Sequence, residues 1–320
     1  LKAYLEETPV KRFLIFGGVF LMKKIMCLVL ILMLLAAMTG CGDGVSGKGV
    51  RVTDSRGTEV VFDSTPKSII SLSPANTEIL YALGAGDRII AVSDYCNYPE
   101  DTGNKQKLPT GEKLNIEALI SLDPDVVFFS KMDAMEDQIK QLEAAGIKVV
   151  VTEANSLDAT YGIIRIIGQA VGKGKEADEL VEKMQESFAS IKEEARGISP
   201  KSVYIEVSPL QYGLWSCGRG TFVQELLDLT GATNIFGDTE GWCAVSEEQV
   251  IERNPDIIVT TASPLTGIED PVGDITGRPN WSGISAVKNG RVYMLDADML
   301  SRPGPRLVDA ARELLRLMAE

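Results

Sequence analysis

The chain reads as an α/β protein of two pseudo-symmetric lobes separated by a long helix, with a ligand cleft between the lobes. Three observations predict this. Short β-branched runs alternate with helical patterns, one long Ala/Glu/Lys-rich segment lacks any strand signal, and the two flanking regions repeat one another.

Taken in order, the strand candidates are residues 68–73, 88–92, 125–130, 147–152, 202–207, 256–261 and 291–295. Each is a short apolar run of the kind a parallel sheet covered on both faces requires. Helical periodicity recurs over 76–83, 116–122, 135–145, 221–229, 247–253 and 306–318. Residues 157–196 read as one connecting helix, with an interruption available at Gly172-Lys173-Gly174. The resulting organisation is a lobe over 52–156, the connecting helix over 157–196, and a second lobe over 197–320.

The repeat can be laid out residue by residue. EILYALGA at 78–85 matches ELLDLTGA at 225–232, and in that register Tyr95-Cys96 falls on Trp242-Cys243. NIEALISLDPDVVF at 115–128 matches SEEQVIERNPDIIV at 246–259. Two matches in the same order, one of them carrying an aromatic-Cys pair into register, favour related lobes over convergence of common helix-Pro-Asp-strand units.

The start of the chain reads as a targeting device. From Met22, two lysines precede an apolar run and then Thr39-Gly40-Cys41, the layout of a signal peptide with a lipidated cysteine at the cut. Residues 1–21 read as an upstream extension, residues 1–41 together as extension plus signal, and 42–51 as a flexible glycine-rich tether. Cys41 is the expected membrane anchor.

Composition excludes several classes. A formal charge of −13 argues against nucleic-acid binding, which needs a basic surface. The complete lack of histidine removes Ser-His-Asp and Cys-His catalysis and every imidazole-ligated metal or haem, so no catalytic residue and no resident metal or cofactor is expected.

Ligand sites of open α/β sheets lie beyond the carboxyl ends of the strands. Tyr95 and Trp242 are therefore read as aromatics on opposite walls of a cleft; alone, either would read as a core cap. Trp215 is a third aromatic candidate. Glu117 and Glu248 sit near the starts of equivalent helices, where acids favour the helix dipole. Equally, they put one carboxylate on each lobe's tip, spaced for a two-fold partner bearing arginines. Arg302 and Arg306 read either as an anion site, with Asp298 for an amide, or as partners of a nearby acid. Cys217–Cys243 is the first choice for a disulfide, Cys96–Cys243 the second, and free thiols the alternative.

Together, SPANTE (73–78 from its first Ser), Tyr95…Tyr98-Pro99, Asn115-Ile-Glu117, Leu122-Asp-Pro124-Asp125, Trp242…Glu248 and Arg302-Pro-Gly-Pro-Arg306 resemble the helical-backbone class of ABC-importer substrate-binding proteins. SPANTE with YxxYP is most similar to the cobalamin-binding members. The resemblance implies two Rossmann-like lobes joined by a long helix, and a small-molecule ligand, a corrinoid. It implies ligand contacts from Tyr95, Trp242, Asp298 and Arg302, with Pro74 and Asn76 in the SPANTE motif, and salt bridges from Glu117 and Glu248 to a permease dimer. The implied role is capture of a corrinoid by a lipid-anchored, exported receptor. The alternatives are a ferric siderophore, leaning on Arg302 and Arg306, haem held by Tyr95, Tyr98 or Tyr212, and an enzyme on nitrogenase-like lobes.

Overall fold

A computed structural model describes residues 49–132, 136–263 and 267–320. The leader, Cys41, tether residues 42–48 and Met135 lie outside them.

The described chain opens on an antiparallel hairpin, β1 (Val50–Thr53) with β2 (Glu59–Phe62). Val50 and Arg51 thus belong to a strand, where the tether was expected to continue. The buried Asp54 carboxylate explains the turn: it accepts from the amides of Arg56 (2.9 Å) and Thr58 (3.1 Å), and from Val151 N (3.1 Å).

The first half continues β3 (Ile69–Ser71), α1 (Pro74–Ala82), β4 (Ile89–Ser93), β5 (Gln106–Leu108), α2 (Ile116–Ser121), β6 (Val126–Ser130), α3 (Glu136–Ala144) and β7 (Lys148–Thr152). Its five strands form a parallel sheet in the order β5-β4-β3-β6-β7. Two helices follow, α4 (Leu157–Ala170) and α5 (Gly174–Ala195). The second half contains β8 (Ser202–Glu206), β9 (Trp215–Cys217), α6 (Phe222–Leu229), β10 (Thr233–Asn234), β11 (Trp242–Ala244), α7 (Glu247–Arg253) and β12 (Ile257–Thr260). It ends with α8 (Pro271–Thr276), α9 (Ser285–Lys288), β13 (Val292–Met294), α10 (Ala297–Ser301) and α11 (Leu307–Ala319). Here the parallel order is β10-β8-β12-β13, and β9 and β11 form a separate antiparallel ribbon.

The internal repeat is present in atomic detail. Order β4-β3-β6-β7 corresponds to β10-β8-β12-β13, with α1 and α6, and α2 and α7, at equivalent crossovers. Asp125 accepts from Ser68 N at 2.9 Å, and Asp256 accepts from Ser202 N at 2.9 Å. The amides of both aspartates in turn donate to the serine hydroxyls at 3.0 Å. Asp123 and Asn254, each before the proline, are both left-handed, as are Gly84 and Gly231 after α1 and α6. A left-handed residue there lets the amide of Ala85 or Ala232 reach back to the last turn of its helix.

The connecting segment differs from the single helix expected. It breaks at Val171-Gly172-Lys173, with Gly172 left-handed, and α5 folds back on α4. Gly168 permits the close approach, because a Cβ there would collide with the Ala177 methyl. The α4 helix packs on β1 and α1, and α5 on α6 and α11. One apolar core therefore runs through both halves, while smaller cores cover the outer faces of the two sheets.

Candidate functional site

A cavity of about 890 Å³ lies at the carboxyl ends of strands from both sheets. From the first half, β3 leads into Ser73-Pro74-Ala75, β6 into Lys131-Met132, and β7 into Glu153-Ala154-Asn155. From the second, β8 leads into Val207, β12 into Thr261, and β13 into Ala297, Leu300, Ser301, Arg302 and Pro303, with Asp298 outside the lining. Ile163 of α4 also lines it, and Phe222, Val223 and Trp242 form an apolar wall. Parallel strands leave room at these ends because the chain turns back there into a helix.

Trp242 is 39% exposed and meets Phe222 edge-on, ring centroids 5.9 Å apart. Of the expected ligand residues, Pro74, Trp242 and Arg302 share this lining. Tyr95, 69% exposed, and Trp215, 43% exposed, stand outside it. Asn76 is a correction. It is fully buried, its amide nitrogen donates to Phe129 O (3.1 Å) and its oxygen accepts from Thr152 Oγ1 (2.8 Å), so it ties β6 to β7.

Of the two readings open for Arg302 and Arg306, the structure shows partnership with an acid, since both hold Glu78, although Arg302 also lines the cavity. Arg302 Nη1 lies 2.9 Å from Glu78 Oε1, and Arg306 donates to both Glu78 oxygens at 2.7 and 2.9 Å. Arg302 also donates to Asn97 Oδ1 (2.8 Å) and the Tyr95 carbonyl (3.3 Å), and pairs with Asp298 at 2.7 Å. Asp298 in turn accepts from Asn97 Nδ2 at 2.6 Å. The Arg306 guanidinium lies 4.3 Å from the Tyr98 ring centre, and its hydrogen bonds to Glu78 hold it above its ordinary range. This network joins α1 and the loop after β4 to the chain after β13. The signal for Glu78 was present as a lone acid in the apolar run of α1. The signal for Lys131, Met132 and Glu153 was their place just past a strand end.

No disulfide joins the cysteines at 96, 217 and 243. In the ribbon, Cys217 lies opposite Trp242 and Cys243 opposite Ser216, so the two thiols leave opposite faces. Cys96 is buried, 3.2 Å from Thr77 Oγ1, and burial raises its thiol pKa. Burial and the neighbouring Cys243 push Cys217 up to about 12. Alkylation of the native protein followed by peptide mass mapping should label Cys243 first and leave Cys96 and Cys217 unmodified until the chain unfolds.

Glu117 and Glu248 are exposed and each is the second residue of its helix. Asn115 caps α2 through Ala118 N (2.9 Å), and Ser246 with Gln249 forms a capping box on α7. The caps thus come from neighbouring residues, and neither glutamate pairs with a Lys or Arg among the described residues. The Glu248 carboxyl is held below its usual range by its own backbone amide and the Ser246 hydroxyl. Among the described residues no group of three or more Cys, Asp or Glu could hold a metal.

A family model described as periplasmic binding protein matches residues 69–299. The chain belongs to this family. It is 39% identical over 302 residues to an uncharacterised ABC transporter substrate-binding lipoprotein, YvrC, of Bacillus subtilis, covering 88% of this chain and 93% of that one. It is 30% identical over 258 residues to a vitamin B12-binding protein of Salmonella paratyphi A, covering 79% and 90%. A crystal structure of a possible iron-binding, periplasmic solute-binding protein of Staphylococcus epidermidis superposes with a TM-score of 0.67 at 34% identity, covering 80% and 100%. Proteins of this family bind a small molecule and deliver it to an ABC permease; they are not enzymes, which removes the nitrogenase-like alternative. Among the described residues no helix is long and apolar enough to cross a membrane.

Proposed function

We propose that this protein is an exported lipoprotein, anchored through Cys41, that captures a corrinoid and hands it to an ABC permease dimer through Glu117 and Glu248. The observation that carries the ligand is the lining of the cavity. A corrinoid brings its own chelated metal, so its receptor needs apolar surface for the ring and polar groups for peripheral amides. The cavity supplies Trp242, Phe222, Leu300 and Val207 for the first, and Asn155, Ser301 and Thr261 for the second. For haem iron its described lining offers the Met132 thioether in place of an imidazole, thiol or phenol. The 30% identity to a vitamin B12-binding protein supports the corrinoid reading. The corrinoid is cargo, and no resident cofactor is part of this reading.

Calorimetric titration of the full chain with cyanocobalamin, cobinamide, haem and a ferric hydroxamate tests it. Binding of a corrinoid is expected; heat only with haem or the hydroxamate would overturn the ligand and favour the alternative receptor. Trp242→Ala should weaken corrinoid binding by roughly thirtyfold, as expected when about 2 kcal/mol of aromatic contact is removed.

A further inference from the structure

The cations that line the cavity already face carboxylates of the chain itself. Lys131 Nζ lies 2.7 Å from Glu153 Oε2, and both residues belong to the lining. Arg302 is held between Glu78 at 2.9 Å and Asp298 at 2.7 Å. Behind it Arg306 shares Glu78 at 2.7 Å and has Asp296 at 3.5 Å. Three carboxylates against two guanidiniums leave this rim with negative charge in excess. Glu78 is buried to 2% side-chain exposure, so its charge is little screened by water.

We infer that this cavity selects ligands whose periphery is uncharged and amide-like, and rejects carboxylate-bearing analogues of the same size, with Glu78 and Glu153 as the specificity-determining residues. The inference rests on the cavity being the ligand site proposed above. A carboxylate arriving at Arg302 must share the guanidinium with Glu78 and Asp298, and suffers their repulsion in a partly desolvated site. At Lys131 it meets Glu153 in the same way. An amide carries no such penalty, because its N–H groups can donate to Glu153 while its oxygen accepts from Lys131. The formal charge of −13 adds repulsion of the same sign at longer range.

The test compares ligands that differ in charge at nearly constant shape. Cyanocobalamin is paired with its monocarboxylate, in which one peripheral amide is hydrolysed, and haem dimethyl ester with haem, all titrated against the full chain. The neutral member should bind about tenfold or more tightly in each pair that binds. Glu78→Gln and Glu153→Gln should each shrink that ratio by about threefold or more, mainly by tightening the carboxylate member. Glu153 is on the partly exposed rim, so Glu153→Gln carries the test if Glu78→Gln does not fold. Equal affinities within the pairs overturn the inference, as does a ratio unmoved in Glu153→Gln and in any folded Glu78→Gln. If no corrinoid binds but the haem ester outcompetes haem, the corrinoid reading falls and charge selection stands.

Discussion

Arg278→Ala should lower the unfolding free energy by about 3–5 kcal/mol, the cost of leaving a buried carboxylate unpaired. The carboxylate is Glu206, the last residue of β8. Its side chain is fully buried, and Arg278 grips it with hydrogen bonds of 2.6 and 2.9 Å. Arg278 also pairs with Asp274 at 2.7 Å and lies 4.6 Å from the Trp281 ring centre. Burial alone would pull the guanidinium pKa down, but the hydrogen bonds and charges of Glu206 and Asp274 hold it above its ordinary value. Burial pushes the Glu206 carboxyl up, and Arg278 pulls it back. Urea unfolding measures the loss. A change below about 1 kcal/mol would mean that the pair behaves like an exposed one. Replacing both members, Arg278→Met with Glu206→Leu, should recover most of the stability, because no charge is then stranded. The pair also bears on the site, since Thr261 of the lining donates to the Glu206 carbonyl at 3.3 Å.

The double variant Glu117→Ala with Glu248→Ala should abolish uptake while leaving calorimetric ligand affinity within about twofold. Each side chain is exposed at the second position of a helix that other residues cap, so neither truncation removes a cap. The stability cost should be small, because each truncation removes only an exposed acid's screened interaction with its helix dipole. The effect on docking is larger. Stripping one partner from a desolvated charge pair typically costs about 2–5 kcal/mol, and two such losses would weaken docking by more than about a hundredfold. Uptake measured in cells, beside titration of the purified variant, separates the two roles. Loss of ligand affinity in the double variant would place these glutamates in the ligand site instead.

The alternating plan was readable because buried parallel strands are short apolar runs and their crossover helices carry helical periodicity. Hence β3, β4, β6, β7, β8, β12 and β13 all lie where the sequence predicts strands. The hairpin β1–β2 and the ribbon β9–β11 escaped because three or four residues hold too little periodicity, and their pairing depends on partners elsewhere in the chain. Gly172-Lys173-Gly174 marked the break in the connecting segment, but that α5 would fold back depended on Ala177 arriving against Gly168. At the site, the strand-end rule found Trp242, and the SPANTE resemblance supplied Pro74. The rule was not applied to β6 and β7, whose ends supply Lys131 and Glu153.

The sequence by itself determined the repeated α/β plan, the strand ends from which the cavity is built, and the exposed glutamates at matching places in both halves. These follow from local patterns, which need only near neighbours to be read. Tertiary structure alone decided which polar groups remain for a ligand. Asn76 is occupied by β6 and β7, Arg302 and Arg306 by Glu78, and the thiols of Cys217 and Cys243 leave opposite faces of one ribbon. A side chain's chemistry is written in the sequence. Whether a buried carboxylate from more than two hundred positions away has already neutralised it depends on how the two halves meet.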